Sequence, residues 1–327
     1  MWPWSYAMSE LKKPFNMGFL MIPEFAFLSF AATIDPLRMA NRMANQTLYH
    51  WDLYTLDDKA VTPSNGIHLQ PTRKLNDTEH LDGIIVVASK DAKRYHTKEI
   101  SRWLTRLKQR RLMMGATSGG TIILAMSGLL GQEPCTTHWE FIDSFKEDFP
   151  SLNITTDIYE FDGQRLSCSG GTAALDMMLQ LITVQHGAEL AEKVAAQCIH
   201  PDIRPAHEEQ RIALGARVNM KHPRLAKAIQ VMKDHIEEPI SCKQVAAEVG
   251  LSQRQMERVF KEHLDHRPNQ YYLHLRLEKA RLLLEQSDMS ILNVAMASGF
   301  QSTSHFSQCY KRTYQRLPSA DKRKVTS

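Results

Sequence analysis

Hydrophobic and polar residues recur at helical spacing in two similar stretches near the end of the chain. Each stretch has the pattern of a short apolar helix, a glycine, and a second helix with one apolar face. Gly250 and Gly299 stand where a helix ends and the backbone needs a positive φ. Ser252 and Ser302 follow as the expected N-caps of the second helices. The pattern therefore predicts two helix-turn-helix units, with equivalent residues 49 or 50 positions apart.

The second unit contains a longer signature, Ser298-Gly299-Phe300 followed by Phe306. On this signature, residues 240–318 resemble the DNA-binding domain of AraC/XylS-type transcription regulators. The resemblance implies that a rigid helix, here Pro268 to about Gln286, joins the two units. It also implies that the units contact successive major grooves of double-stranded DNA. Gln315 departs from the family, which usually has glycine at this position.

The resemblance further implies which side chains of the two second helices meet DNA. Side chains that reach base edges in the major groove read the sequence, whereas contacts to phosphate fix the position of the protein. The residues expected at base edges are Arg254, Glu257, Arg258, Ser304, His305 and Gln308. Those expected at the DNA backbone are Ser252, Lys261, Ser302, Lys311 and Arg312.

Charge is distributed unevenly along the chain. From residue 222 to the end, 17 Lys and Arg stand against 11 Asp and Glu, whereas the whole chain has a formal net charge of +4. A basic segment fits a polyanionic partner such as DNA. An ordinary basic surface gives the same balance, so charge alone does not decide the partner.

Cysteine usage and hydropathy bear on the compartment. The five cysteines are odd in number and none of their spacings suits a metal site, which favours a reduced, cytoplasmic protein without a metal. The apolar run over residues 17–34 is interrupted by Pro23 and Glu24, so it is interpreted as a strand and a helix rather than a signal peptide. No other stretch is long enough to cross a bilayer, and no membrane contact is expected.

Strand-like and helix-like segments alternate before residue 200, which predicts an α/β domain with a mostly parallel, flavodoxin-like sheet. The apolar run over residues 82–89 is typical of a central parallel strand. A helix over Phe27–Ala44 is expected to break or kink at Pro36, and residues 68–71 are expected to form a short strand. The predicted organisation is a sheet domain over residues 12–200, a polar linker over 201–221, and an all-α double helix-turn-helix domain over 222–320.

A strand is predicted to end at Thr117, and Ser118, Gly119 and Gly120 follow before a helical pattern begins. Ser118 then falls at a strand-to-helix corner, an arrangement known as a nucleophile elbow, which presents the corner side chain to a cleft. His138 lies shortly after it. With these features, residues 15–198 resemble the PfpI-type class I glutamine amidotransferase-like superfamily, in which the corner residue is usually cysteine. The two domains together resemble the amidase-like subgroup of AraC-type regulators.

Several residues weigh against catalysis at Ser118, so no catalytic residue is assigned. Serine is a poor nucleophile without an adjacent base. Residues 29–35, where many relatives keep an activating glutamate, contain Ser29 and no glutamate, and Ala116 replaces the first glycine of a complete elbow motif. The preferred interpretation is a cleft reused to sense a small molecule. The alternatives are an amidase-type hydrolase carrying a DNA-binding tail and a purely structural dimerisation domain.

The expected effector is a small zwitterionic nitrogenous metabolite. A helix N-terminus with Ser118 and His138 suits a carboxylate. Trp139 suits a cation by stacking, although a single tryptophan is more often part of a core. Regulators that this chain resembles respond to amino acids, betaines or carnitine. The sequence thus predicts a cytoplasmic regulator that needs no cofactor and forms a homodimer through its first domain.

Overall fold

The computed structural model describes residues 13–208, residue 210 and residues 222–322. The chain divides into two compact units, the first ending at Gln210 and the second beginning at Arg211. Most of the stretch predicted as a linker, residues 211–221, lies outside the described residues, as do the first 12 residues. Each unit has its own hydrophobic core, so each is described by itself.

The first unit is built on one sheet of six strands in the order β2-β1-β3-β4-β6-β5. All neighbouring strands are parallel except β5 and β6, which form a hairpin. This order with a parallel centre is that of a flavodoxin-like doubly wound fold, as predicted. The strands are β1 (Phe15–Met21), β2 (Tyr49–Tyr54), β3 (Gly83–Ala88), β4 (Met113–Ser118), β5 (Tyr159–Phe161) and β6 (Arg165–Cys168).

Helices cover both faces of the sheet. On one face α1, α6 and α7 bury a cluster that includes Phe19, Leu37 and Met178. On the other face α3 and α4 bury a second cluster that includes Ile84, Trp103 and Ile123. The helices of this unit are α1 (Phe27–Ala44), α2 (Ala92–Tyr95), α3 (Lys98–Gln109), α4 (Gly120–Met126), α5 (Ile142–Asp148), α6 (Ala173–His186) and α7 (Ala188–Gln197).

Two local expectations for this unit are not met, namely a break in α1 at Pro36 and a strand over residues 68–71. Helix α1 continues through Pro36, which is buried within it. Packing of α1 against α6 and α7 outweighs the one backbone hydrogen bond that proline cannot donate. Residues 68–71 form no strand, because only Val61 and Leu69 pair there.

The second unit is helical and has two hydrophobic clusters, one for each helix-turn-helix. The central helix α11 contributes to both, with Tyr272 and Leu275 in the first cluster and Leu277 and Leu284 in the second. Every helix in the described part of the chain is too short or too polar to span a bilayer. The helices of the second unit are α8 (Pro223–Asp234), α9 (Cys242–Glu248), α10 (Gln253–Leu264), α11 (Pro268–Gln286), α12 (Ile291–Ala297), α13 (Thr303–Tyr314) and α14 (Pro318–Asp321).

Candidate DNA-binding surface and effector site

The two helix-turn-helix units begin their second helices in the same way. Ser252 caps α10 through a capping box with Gln255, and the Ser302 hydroxyl accepts from the backbone N–H of His305 at the start of α13. These bonds satisfy amide donors that a helix start leaves free. Before each cap, the turn glycine has a positive φ, +67° at Gly250 and +75° at Gly299. The predicted local geometry of both units is confirmed.

Each second helix buries one face and exposes the other. Helix α10 buries Met256 and Phe260, and α13 buries Phe306 and Tyr310. Because the apolar residues recur at spacings of three and four, the remaining side chains project from the opposite face. All six residues predicted to contact bases are exposed, as are the five predicted to contact the DNA backbone.

Side chains on the polar face of α10 bond to one another. Gln253 Nε2 donates to Glu257 Oε1 at 3.1 Å, and Arg258 Nε lies 3.8 Å from Glu262 Oε1. Lys261 pairs with Asp265 one turn further on. Exposed pairs of this kind contribute at most about 1 kcal/mol, so they open at little cost when DNA offers better partners.

The polar face of α13 differs because this helix contains no acidic residue. Lys311 and Arg312 lie in its last turn, and His305 Nε2 lies 3.4 Å from Cys309 Sγ. No carboxylate of α13 itself therefore opposes phosphate. Of the two helices, α13 has the more uniformly positive polar face.

The linker helix α11 holds the turn of the second unit. Arg276 donates from Nε to the carbonyl of Ser298 at 3.0 Å and from Nη2 to the carbonyl of Gly299 at 2.7 Å. Its guanidinium carbon lies 4.2 Å from the centre of the Phe300 ring. Burial lowers the pKa of Arg276 below its usual value. A cation here is favourable, because the C-terminal end of a helix, here α12, carries a partial negative charge.

The loop between α8 and α9 also packs against this turn. A Cβ added at Gly299 would lie 2.2 Å from the carbonyl oxygen of Ile236, whereas one added at Gly250 would have no atom within 4 Å. From α11, the Tyr272 hydroxyl donates to His235 O at 2.7 Å. Lys279 Nζ donates to Glu237 Oε1 at 2.8 Å. The loop, the turn and the linker helix thus form one packed junction between the two helix-turn-helix units.

The last helix turn is closed without glycine. Gln315 adopts a left-handed conformation with φ of 58°, and its N–H donates to Lys311 O. Asp265 does the same at the end of α10, with φ of 53°. The C-cap that the missing glycine put in question therefore forms, at a conformational cost of roughly 1 kcal/mol for a residue with a side chain.

In the first unit, Ser118 is the last residue of β4 and adopts a φ of +51°. A left-handed serine at a buried corner is a strained conformation of the kind found at functional sites. The Thr137 hydroxyl donates to the carbonyl of Ser118 at 2.8 Å. Among the described residues, no group hydrogen-bonds to the Ser118 hydroxyl. The predicted elbow is present, and Ser118 is buried at its corner.

The two glycines after Ser118 are required by packing. A Cβ at Gly119 would lie 2.1 Å from Ser89 O, and one at Gly120 would lie 2.1 Å from Val86 O. Real Cβ atoms do not approach oxygen this closely, so α4 begins against the end of β3 only if both residues are glycine.

Ser29 and Gly170 complete the surroundings of the elbow. Ser29 lies on α1, is buried, and accepts from the backbone N–H of Gly171 at 2.7 Å. Gly170 has a φ of +92°, and a Cβ there would lie 2.9 Å from both Ser118 Cβ and Ser29 Oγ. The glycine therefore keeps a space between the two serine side chains. Ser29 lies within residues 29–35, where many relatives keep an activating glutamate. Helix α1 therefore offers the elbow a second hydroxyl and no glutamate.

His138 and Trp139 follow Thr137 directly. Burial lowers the pKa of His138, although the Glu140 carboxylate opposes this shift. The N–H of Glu140 donates to His138 Nδ1 at 3.4 Å, so the neutral ring carries its proton on Nε2. Trp139 is half-buried, lies against the His138 ring, and packs on the cluster around Phe145. The link from these two residues to Ser118 runs through Thr137.

Residues 200–208 and Gln210, here called the strap, contact the first unit, although all of them except residue 200 were assigned to the linker. Asp176, which is fully buried, accepts from Arg204 and from His200 Nε2. At the end of the strap, Gln210 Nε2 lies 2.9 Å from three acceptors. These are the Thr136 hydroxyl and the carbonyls of Thr137 and Asp157. The sheet domain thus extends to Gln210.

Sequence reasoning assigned no role to three of these residues. Arg276, Gly170 and Gln210 act through partners that are distant along the chain. Gly170 stands in a Gly-Gly pair before a helix, which is a usable signal for a special backbone conformation. Gln210 lies in a polar stretch with no periodicity, and no local pattern distinguishes it.

Comparison with known proteins identifies the family of this chain. A family model described as a helix-turn-helix domain matches residues 245–324. The transcriptional regulator CdhR of Pseudomonas aeruginosa is 38% identical over 94% of this chain and 91% of its own length. The crystal structure of an AraC family transcriptional regulator from Pseudomonas putida is 26% identical, with a TM-score of 0.52, and covers 57% of this chain and 100% of its own.

A further solved structure bears on the fold of the first unit. A ThiJ/PfpI family protein from Pseudomonas syringae superimposes with a TM-score of 0.52 at 17% identity, covering 77% of this chain and 98% of its own. At this identity the likeness concerns the fold alone. The near full-length match to a transcriptional regulator and the paired helix-turn-helix units together identify the family. The chain belongs to the AraC-type family of DNA-binding transcriptional regulators, and its first domain has the fold of ThiJ/PfpI proteins.

Proposed function

We propose that this regulator reads bases in two successive major grooves with α10 and α13, and that its PfpI-like domain binds a small zwitterionic nitrogenous metabolite without transforming it. The observation that carries the DNA half is the pair of serine-capped helices, each with an exposed polar face, that one linker helix joins. A pair of recognition helices joined rigidly selects two half-sites about one DNA turn apart, roughly 34–36 Å.

Base contacts are assigned by side-chain chemistry. Arg254 and Arg258 on α10 suit guanine, which presents two acceptors in the major groove, and Glu257 suits the amino group of cytosine. On α13, Gln308 suits adenine, while Ser304 and His305 contact either base class. The caps and the basic residues of the last turns contact phosphate. These residues are Ser252, Lys261, Ser302, Lys311 and Arg312.

The effector is assigned to the space at the elbow. The free hydroxyl of Ser118, the Ser29 hydroxyl and the Nε2–H of neutral His138 are hydrogen-bond donors suited to a carboxylate. The half-buried indole of Trp139 suits the cationic end by cation–π attraction. An amino acid, a betaine or carnitine has both ends. We therefore assign this class to the site.

A hydrolase is the competing function, and the strained corner conformation of Ser118 is the observation that favours it. Catalysis by serine needs a base within hydrogen-bond reach. None of the described residues hydrogen-bonds to the Ser118 hydroxyl as a base, and residues 29–35 contain no glutamate. We therefore place binding ahead of turnover.

Homodimer formation through the first domain is also proposed. Leu28 on α1 is 58% exposed and Val184 on α6 is 57% exposed, on two helices that pack against each other. Large exposed apolar side chains on one packed layer suit a self-association surface. Sedimentation of the full chain should give a dimer, and Leu28→Glu with Val184→Glu should give a monomer.

Calorimetry on the full chain tests the effector site. Glycine betaine, L-carnitine and a panel of amino acids serve as probes. Ser118→Ala should weaken binding of the active probe by roughly 0.5–1.5 kcal/mol, or somewhat more because the accepting oxygen is charged. Ser118→Trp should abolish the heat and leave DNA affinity intact but unresponsive.

Two results would refute this assignment. If a metabolite alters transcription but gives no binding heat with the full chain, the assigned effector site is wrong. Turnover of simple amides or esters by the full chain, lost in Ser118→Ala, would establish the hydrolase. His138→Ala and Trp139→Ala extend the test, because both should raise the effector concentration needed without changing the DNA site.

A further inference from the structure

The strap is fixed to the sheet domain by two anchors of different chemistry. The first is charged and fully satisfied. Buried Asp176 accepts from Nε, Nη2 and the backbone N–H of Arg204, and from His200 Nε2. The second is neutral and consists of the Gln210 carboxamide. A buried, multiply bonded ion pair resists displacement far more than one amide does.

Both anchors attach to segments that border the candidate effector site. Gln210 donates to the carbonyl of Thr137, whose hydroxyl donates to the carbonyl of Ser118. On the other side, Gly170 packs on Ser118 and Ser29, and helix α6, which carries Asp176, begins three residues after Gly170. The strap is therefore bonded to both borders of the elbow.

The Gln210 anchor is incomplete. Its amide nitrogen has two hydrogens but faces three acceptors at 2.9 Å. Its amide oxygen is buried and has no hydrogen-bond partner among the described residues. A buried acceptor without a partner makes the seated position poorly stabilised. A small displacement of Thr137 is then enough to change the balance between a seated and a released Gln210.

We propose that Gln210 couples the Ser118 site to the DNA-binding domain. Occupation of the site displaces the segment carrying Thr137 and changes the seating of Gln210, while Arg204 stays fixed on Asp176. Gln210 is the residue after which the chain leads, in sequence, through residues 211–221 to α8. This inference rests on the proposed effector site, and it adds the route by which occupancy reaches the chain connection between the domains.

Amide hydrogen exchange on the full chain tests the local coupling without a ligand. In Thr137→Val, which removes the hydroxyl bond to Ser118, the amide of Glu208 should exchange on the order of tenfold faster than in the wild type. Glu208 is a suitable reporter because its N–H is bonded within the strap, to Pro205 O. The amide of Arg204, bonded to Asp176, should not change.

Further variants make the test specific. Gln210→Ala should match Thr137→Val, and the double variant should exchange no faster than either single variant. Thr137→Ser keeps the hydroxyl and should behave as wild type, as should Asp202→Ala at an exposed strap residue. Unchanged protection in β1 shows that the domain stays folded. If Gln210→Ala accelerates exchange at Glu208 and Thr137→Val does not, the coupling is absent.

A second measurement addresses DNA. Glycine betaine, L-carnitine and L-arginine are titrated into the wild type, and the probe that gives heat is added to binding reactions with promoter DNA. Gln210→Ala should bind that probe within threefold of wild type, yet show no change in DNA affinity on adding it. A wild-type response in Gln210→Ala overturns the proposal. Absence of heat from all three probes counts against the assigned effector class, and the exchange experiment then decides the coupling by itself.

Discussion

The guanidinium of Arg276 lies 4.2 Å from the centre of the Phe300 ring and donates to the two carbonyls that precede that ring in the chain. One side chain of the linker helix therefore fixes the end of α12, the turn, and the first apolar residue after it. This contact, together with the packing of Leu277 and Leu284 against Phe306, helps to set the orientation of α13 relative to α11.

Arg276→Met should reduce the free energy of unfolding of the helical domain by about 1.5–3 kcal/mol, since it leaves two carbonyls without their charged donor. Arg276→Lys should recover part of the loss, because an ammonium donates to one carbonyl well but lacks the planar fork. Urea unfolding followed by circular dichroism measures both. On promoter DNA, footprints should retract from the half-site of α13 first. Lys279→Met, at a partly exposed pair on the same helix, should cost less than about 1 kcal/mol.

The two turn glycines offer a matched pair. Gly250→Ala should cost about 1 kcal/mol, because the only penalty is a positive φ in open space. Gly299→Ala should cost considerably more, since its Cβ would meet the carbonyl of Ile236 at 2.2 Å and force the junction apart. Unfolding midpoints compare them directly. Equal losses would mean that the loop before α9 moves away freely.

Arg258 is predicted to read a base. Arg258→Ala should weaken binding to promoter DNA by about 1–3 kcal/mol, the value of a bidentate arginine–guanine contact, and change binding to random DNA little. Fluorescence anisotropy with both DNAs provides the comparison. Lys311→Ala should instead weaken both and lower the salt slope by roughly one unit. A uniform loss in Arg258→Ala would reassign Arg258 to phosphate.

Acidification should destabilise the sheet domain. Burial lowers the pKa of His96, His138 and His186 below the ordinary 6.5. Below pH 6.5 the unfolded chain therefore binds more protons at these histidines than the folded domain does. The stability of the fold falls as the pH decreases from 6.5 to the lowered pKa values of the folded state. Urea midpoints for this domain should fall between pH 7.5 and 5.5. A variant with glutamine at all three positions should show a flatter profile.

The helix-turn-helix units are predictable from sequence because their determinants are local. The serine caps, turn glycines and apolar stripes all act within a few residues, and the structure confirms them. The elbow is predictable for the same reason, since a strand, a corner and two glycines are contiguous. Element types before residue 200 follow from periodicity.

Long-range packing accounts for the features that the sequence did not predict. Pro36 continues a helix because α6 and α7 hold α1 from outside, which no local propensity expresses. Gln210 reaches Thr136 across 74 positions, and Arg276 reaches Ser298 across 22. Their partners are specified only by the finished fold, so the strap is indistinguishable from a linker until the structure is known.

The packing of Gly119 and Gly120 against β3 limits what the elbow signature means for ancestry and annotation. Both residues are dictated by the way the polypeptide crosses from strand to helix, whatever side chain stands at the corner. Enzymes and sensors built on this crossover must therefore share the glycines. One substitution at position 118 is enough to exchange a reactive group for a binding group, with no repacking of the scaffold. The two glycines therefore mark the crossover itself and do not indicate whether the corner residue reacts with a ligand or binds it.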